Sequence, residues 1–281
     1  MANDAIGPIA ILGAGNVGQA LARGLLAAKR LAAADIALTR RHADKLGGLA
    51  GTGLALGTDN CAALGRARQV VISVQPRQLD DLFAEIRGAL DPGRHSIISV
   101  VTGVTIGQMR AQLGQEIPIV RAMPNTAIAI GQSMTCLAAP SDHRRALDDA
   151  RVLFDSVGAT LQIDEEMMES ATALCACGVA FFLRSIRAAS QGGIEIGFHP
   201  EEALLMAAQT ARGAASLLMQ AGSHPEAEID RVTTPRGCTI AGLNEMEHRG
   251  FSSAMIKGIV TSAKMAVELY RAPARPASVK S

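Results

Sequence analysis

"IAILGAGNVGQALARGLL", residues 9–26, decides the fold. Four apolar residues read as a buried strand and run directly into Gly13, Gly15 and Gly18, the last already inside a segment with helical spacing. In a strand–loop–helix turn of this kind the first glycine permits the tight turn. The second lets backbone approach a pyrophosphate, and the third lets the helix pack on the strand. Asn16 and Val17 complete the loop, and the helix start behind them offers unpaired N–H groups to an anion. A bare GxGxxG is a weak signal. The flanking strand and helix make this one point to a dinucleotide.

The end of the next strand selects the cofactor. NAD sites usually carry Asp or Glu there, about 20 residues past the glycines, for the ribose 2′-hydroxyl. This chain has Thr39-Arg40-Arg41 instead. A hydroxyl and two guanidiniums suit a 2′-phosphate, so NADP(H) is the expected cofactor.

Further along, "DIALT" (35–39), "QVVISV" (69–74), "SIISVV" (96–101), "IPIVRA" (117–122), "SMTCLA" (133–138) and "ATLQI" (159–163) read as strands separated by helical or turn segments. Apolar strands alternating with helices predict a mostly parallel sheet covered on both faces. From Asp164 the texture changes to long helical runs with no strand between them. The expected division is a cofactor-binding α/β domain over 1–163 and an all-α dimerisation domain over 164–281. The run Ala171–Leu183 carries no charge and is apolar nearly all the way round, so it must be buried on every side, which a helical domain of this size achieves best by pairing with a second copy.

The bulk properties exclude several classes. The chain has 281 residues, 48% of them hydrophobic, and a formal charge of +1, which gives no electrostatic case for nucleic acid or a membrane surface. Five scattered cysteines with no CxxC pair argue against a disulfide framework or a metal site. The start lacks a basic region before its glycine-broken apolar stretch, and the charge-free run at 171–183 is too short to span a bilayer. A cytoplasmic, reduced protein is expected, with a frayed tail at "RAPARPASVKS".

In "VTTPRGCTIAGLNEMEH", residues 232–248, the chain turns at Pro235 and Gly237 and enters a helix at about Thr239. Hydroxyls and free N–H groups there would seat a small anion, yet no carboxylate or histidine stands ready for acid–base work.

With these residues in hand the chain resembles the pyrroline-5-carboxylate reductase family over essentially its whole length. The glycine loop matches. Asn60 in "TDNCAAL" corresponds to a family asparagine, and Val74-Gln75-Pro76 to the family's "VKP". "SVVTG", ending at Gly103, matches another strand end; Met123-Pro124-Asn125-Thr126 reproduces "MPNT"; and "TTPRGCTIAGL" corresponds to "TSPGGTTIAGL". The resemblance implies a Rossmann domain followed by an all-helical domain that forms a dimer, often assembled further, and it makes 164–281 the substrate domain as well. It implies hydride transfer from NADPH to the C=N carbon of a cyclic imino acid, 1-pyrroline-5-carboxylate by default, giving proline. It carries over Pro124 and Asn125 with Asn60, Val74, Gln75, Pro76 and Gly103 as cofactor contacts. Thr234, Gly237, Cys238 and Thr239 become the substrate carboxylate seat, with Thr239 the residue nearest to a catalytic role. A protonated ring imine is already electrophilic, so positioning and charge complementarity suffice.

The departures gather around the implied imine pocket. The family's "SGSGPAY" reads Cys175-Ala176-Cys177-Gly178-Val179-Ala180-Phe181 here, the "VKP" lysine is Gln75, and a loop glycine is Arg236. Arg187 and Gln191 replace family acids. A related imine, or a cofactor-binding homologue without turnover, are the alternatives. Cys175 and Cys177 read as core thiols, His199 as an exposed helix-start residue, and His248 as a helix-end residue.

Overall fold

The computed structural model describes residues 6–220 and 222–269; the tail from Arg271 lies outside the described residues. Two compact units result, residues 1–176 with the stretch from Ser262 on, and residues 177–261.

In the first unit the chain runs β1 (Ile9–Leu12), α1 (Asn16–Ala28), β2 (Ile36–Thr39), β3 (Ala55–Gly57), α2 (Asn60–Leu64), β4 (Gln69–Ile72), α3 (Leu79–Ile86) and β5 (Ser96–Ser99). It continues through α4 (Ile106–Leu113), β6 (Ile119–Met123), β7 (Ser133–Ala138), α5 (Arg144–Asp155), β8 (Gly158–Gln162) and α6 (Met168–Ala171). The eight strands form one sheet in the order β3-β2-β1-β4-β5-β6-β7-β8. All neighbours are parallel except β6 and β7, where Met123 faces Cys136 in an antiparallel register.

The sheet is mostly parallel, as the strand–helix alternation predicts. β1, β4 and β6 are buried along their whole length. One core lies between the sheet and α1 with α5, filled by Leu21, Leu25, Ile36, Leu38, Leu153 and Phe154. The other lies beneath α3 and α4, around Leu12, Ile72, Phe83, Ile97 and Met109. β3 is the strand not expected from the sequence: its three residues, Ala55-Leu56-Gly57, end on a glycine and carry no run of β-formers.

A buried cation ties the far end of this unit together. Arg121, on β6 and 3% exposed, lies 3.2 Å from Glu165 and 3.6 Å from Glu169. Glu165 Oε1 also accepts the N–H of Ile106 at 2.7 Å, at the start of α4. An arginine buried in a sheet needs such partners, because an unpaired charge there costs several kcal/mol. Beyond α6 the helix widens into a π segment, Thr172–Cys177, whose Thr172 hydroxyl donates to the Met168 carbonyl at 2.8 Å.

The second unit contains α7 (Gly178–Glu195), α8 (Pro200–Leu218), α9 (Pro225–Val232) and α10 (Cys238–His248), and it holds the start of α11 (Phe251–Leu269). His199 is the exposed N-cap of α8. α7 and α8 pack closely where Gly193 meets Ala203; a β-carbon on Gly193 would stand 3.0 Å from that of Ala203. Within one chain the apolar helices are largely uncovered, as a run expected to be buried by pairing with a second copy would be. Among the described residues of 177–261 only Gly178, Ser190 and Ala203 are buried. Phe182, Leu183, Leu204, Leu205 and Ile256 are 53–70% exposed. A single chain has no second layer with which to cover these helices.

The same region corrects the expectation about length. The continuous helical stretch Glu165–Glu195 has 31 residues and a window of mean hydropathy 1.4, so by length and composition alone it could cross a membrane. The sequence reading stopped at the charge-free run; the helix itself extends past it at both ends.

Candidate functional site

The glycine loop is built by three strand ends. Gly13 adopts φ +92°, where a side chain is strained, and an added β-carbon would lie 2.8 Å from the Ser73 carbonyl oxygen. Gly18 is equally tight, with the Gly13 carbonyl at 3.0 Å. Gly15 is different: nothing lies within 4 Å of where its β-carbon would be. Tight turn, open approach and close packing therefore fall to the three glycines in the predicted order. No side chain caps α1 and its first turn holds no acid, so its leading N–H groups are open to an anion. Such a cradle fits a dinucleotide pyrophosphate.

The end of β2 clamps this loop. The Thr39 carbonyl accepts from Gly13 N at 3.1 Å and Ala14 N at 2.8 Å. Its hydroxyl donates to Asn60 Oδ1 at 2.6 Å, while Asn60 Nδ2 donates to Glu85 at 3.0 Å. Arg40 donates to the Ala14 carbonyl at 2.9 Å, so this guanidinium already braces the loop with one of its N–H groups. Arg41 is exposed beside it.

A cleft of about 480 Å³ joins these parts: Gly13, Gly15, Thr39, Arg40, Arg41, Asn60, Val74 and Gln75 all line it. It also contains residues the sequence reading did not single out, among them His42, Ser73, Arg77, Asp81 and Glu85. Acids as well as cations face this cleft, since Asp81 and Glu85 share it with Arg40, Arg41 and Arg77. Both acids lie on α3, 40 and 44 residues past Arg41, and nothing local in the sequence links them. Asn16, Val17, Pro76 and Gly103 flank the strand ends; Gly103 takes φ +80° after β5. Pro124 and Asn125 are buried at the end of β6. Asn125 uses its side chain inward, accepting from Ala127 N at 3.0 Å and donating to the Cys175 carbonyl at 3.4 Å. A second hollow of about 730 Å³ opens over Ala37, Ala55, Ala62 and Ala63, where the short α2 leaves the sheet face thinly covered.

The other predicted seat lies in the second unit. Gly237 N donates to the Thr234 carbonyl at 2.9 Å, closing a turn through Pro235 and Arg236. α10 begins at Cys238, one residue before the predicted start, with Gly237 as N-cap, no capping side chain and no acid in its first turn. Thr234 and Cys238 are exposed, and Gly237 and Thr239 half-buried. Arg236 holds φ +62°, so the turn retains the left-handed shape of a glycine although the residue is an arginine. His248 occupies the last turn of α10. Among the described residues no group of three or more His, Cys, Asp or Glu could hold a metal.

The sheet, the glycine loop and the clamped β2 end define a dinucleotide-binding protein of the Rossmann class. Residues 8–103 match the family described as NADP oxidoreductase, coenzyme F420-dependent, and residues 165–269 match pyrroline-5-carboxylate reductase dimerisation. The chain is 52% identical to pyrroline-5-carboxylate reductase 1 of Dictyostelium discoideum, over 93% of its own length but half of that protein's. It is 48% identical to pyrroline-5-carboxylate reductase 2 of the same organism, over 91% of each chain. In fold it is similar to a pyrroline carboxylate reductase of Plasmodium falciparum solved with NADP bound, at TM-score 0.83 and 21% identity over 95% of this chain and 99% of that one. The chain belongs to the pyrroline-5-carboxylate reductase family.

The glycine geometry separates two roles. Gly13→Ala should lower stability by about 2 kcal/mol or more, from positive φ and overlap with Ser73, and so lower the melting temperature. Gly15→Ala should leave stability within about 0.5 kcal/mol of wild type yet weaken NADPH binding in a fluorescence titration. Equal melting losses in both variants would contradict this division.

Proposed function

We propose that this chain reduces 1-pyrroline-5-carboxylate to proline with NADPH. The observation that carries the reading is 48% identity spread over nine-tenths of both this chain and a reductase of that name, together with a glycine loop shaped for the cofactor. The cofactor-binding part would be residues 1–163, and residues 164–281 would supply dimerisation and the substrate seat. The bound nicotinamide would supply a hydride to the imine carbon. The chain's own work is then to bind and orient. Gly13, Gly15 and Gly18 with Asn16 and Val17 would receive the pyrophosphate, while Val74, Gln75, Pro76, Gly103, Pro124 and Asn125 would form the walls along the cofactor.

Arg41 and the remaining N–H groups of Arg40 would pair with the 2′-phosphate. Glu85 is held by Asn60, which directs that carboxylate toward an amide and moderates its repulsion of the phosphate. Changing Arg40 and Arg41 together to Ala should raise the KM for NADPH at least tenfold and the KM for NADH far less. Equal losses would remove the 2′-phosphate assignment.

Thr234, Gly237, Cys238 and Thr239 would hold the substrate carboxylate, for which the uncapped start of α10 is suited. The Thr239 hydroxyl would hydrogen-bond the carboxylate or the ring nitrogen. Thr239→Ala should lower kcat/KM for a carboxylated cyclic imine more than tenfold, the scale of about 1.5–3 kcal/mol for one charge-assisted hydrogen bond, with NADPH affinity little changed. The assay is NADPH oxidation over five- and six-membered imines with and without a carboxylate. Near-wild-type turnover of the variant would reduce Thr239 to a helix-start residue, and no turnover of any imine by the wild type would sink the reading.

The exposed apolar helices would be covered by a second copy. The dimerisation match spans them, and no core of their own shields them from water. Sedimentation at micromolar concentration should show a dimer or an assembly of dimers, and a stable folded monomer would refute this.

A further inference from the structure

Outside the cofactor cleft, two cysteines far apart in sequence meet inside the first unit. Cys136 lies on β7, opposite Met123, and Cys175 lies in the π segment that follows α6. Their sulfurs are 3.8 Å apart. Cys136 is buried and Cys175 half-buried. Met123, Ala138, Met168 and Ala171 surround the pair, so its access lies on the Cys175 side.

We propose that Cys136 and Cys175 form a peroxide-reactive dithiol, a modification site at which a hydroperoxide converts the two thiols to an intramolecular disulfide. The geometry supplies both roles. Cys175, the more accessible, is the attacking sulfur, and Cys136, with no route to solvent of its own, is the resolving one. A disulfide needs about 2.05 Å, so the sulfurs must approach by roughly 1.8 Å, within the reach of a side-chain rotation and a small shift of the π segment.

The ionisation of the pair favours this order. The hydrogen bond from Cys136 pushes the Cys175 thiol down to about 7 against the opposition of burial. Sharing that hydrogen bond, with burial and the neighbouring thiolate adding to it, pushes Cys136 up and keeps its proton in place. Of the two sulfurs, Cys175 is therefore the one that ionises more readily to the thiolate, the nucleophilic form.

In the first step the Cys175 sulfur attacks the hydroperoxide. The O–O bond breaks, the departing oxygen takes the electron pair and a proton to leave as alcohol or water, and the sulfur becomes a sulfenic acid. In the second the Cys136 sulfur attacks that of Cys175. The S–S bond forms, the S–O bond breaks, and hydroxide leaves as water with the Cys136 proton. Two thiols and one peroxide give one disulfide, one alcohol or water, and one further water. A small dithiol reverses the modification by exchange.

The dithiol chemistry needs neither cofactor nor substrate to be bound, and its test uses the whole reduced chain. One equivalent of hydrogen peroxide should remove two of the five free thiols, and peptide mass mapping should find the Cys136 peptide joined to the Cys175 peptide. The rate should rise with pH as Cys175 ionises and reach its plateau below the range of an ordinary thiol. Cys136→Ser should stop at a sulfenic acid on Cys175 that a cyclic 1,3-dione captures. Cys136→Ala, which retains the apolar packing but removes the hydrogen bond that lowers the Cys175 thiol, should give the same adduct only at higher pH. The proposal is overturned if the adduct falls on Cys177 or Cys238, if the disulfide joins another pair or two chains, or if the Cys136 and Cys175 thiols both survive peroxide that oxidises exposed Cys238.

Discussion

The structure turns on a backbone contact: the close approach of Gly13 to the Ser73 carbonyl, secured by one oxygen of Thr39. Three strands of the sheet end at this point. β1 delivers the glycine, β4 delivers Ser73, and β2 delivers the carbonyl that accepts two loop N–H groups. A β-carbon at Gly13 would force the loop away from β4, and the N–H groups at the start of α1 would no longer face the cleft. The side chains around the loop follow from this arrangement. Thr39 reaches Asn60 because β2 ends in line with the start of α2, and Arg40 braces Ala14 because it leaves the sheet at that carbonyl.

In the β6 half of the sheet the organising group is charged. Arg121 is buried with two glutamates, and one of them also accepts from the first N–H of α4. Burying ions costs desolvation that Coulomb attraction offsets only with good geometry and full hydrogen bonding. Such a group is a poor source of stability but a strict one of placement, because any misregister of Glu165 exposes three elements to an unpaired charge. Met123, Pro124 and Asn125 follow Arg121 after one intervening residue, so the end of β6 is set by the same anchor.

The α/β half was legible because its signals are local. Gly13, Gly15 and Gly18 announce a turn, and apolar runs such as "QVVISV" announce buried strands, without reference to distant residues. β3 was not legible because Ala55–Gly57 gains its strand character from pairing with β2 rather than from its own residues. Asp81 and Glu85 were hidden for a related reason: on the sequence they are the exposed face of an ordinary helix, and only the fold turns that face into the cleft. Cys136 and Cys175 sit 39 positions apart with no motif between them. The exposure of Phe182 and Leu183 in one chain has another origin, since periodicity reports that a face must be covered and is silent on whether the cover comes from the same chain.

The strand order has a consequence for how the chain is made. Once β4 has joined β1, each later strand adds to the same growing edge in the sequence of synthesis, β5, β6, β7 and then β8. No strand has to be inserted between two that have already paired. Each addition nevertheless leaves a fresh edge of unpaired backbone flanked by residues such as Val70, Ile97 and Ile119, all fully buried at the end, and edges of that kind recruit other chains. The interval closes with β8, a largely exposed strand bearing Thr160 and Gln162. A nascent chain is therefore most prone to mispairing from the emergence of β4 until Gly158–Gln162 clears the ribosome, and the last strand to arrive is the one suited to face water.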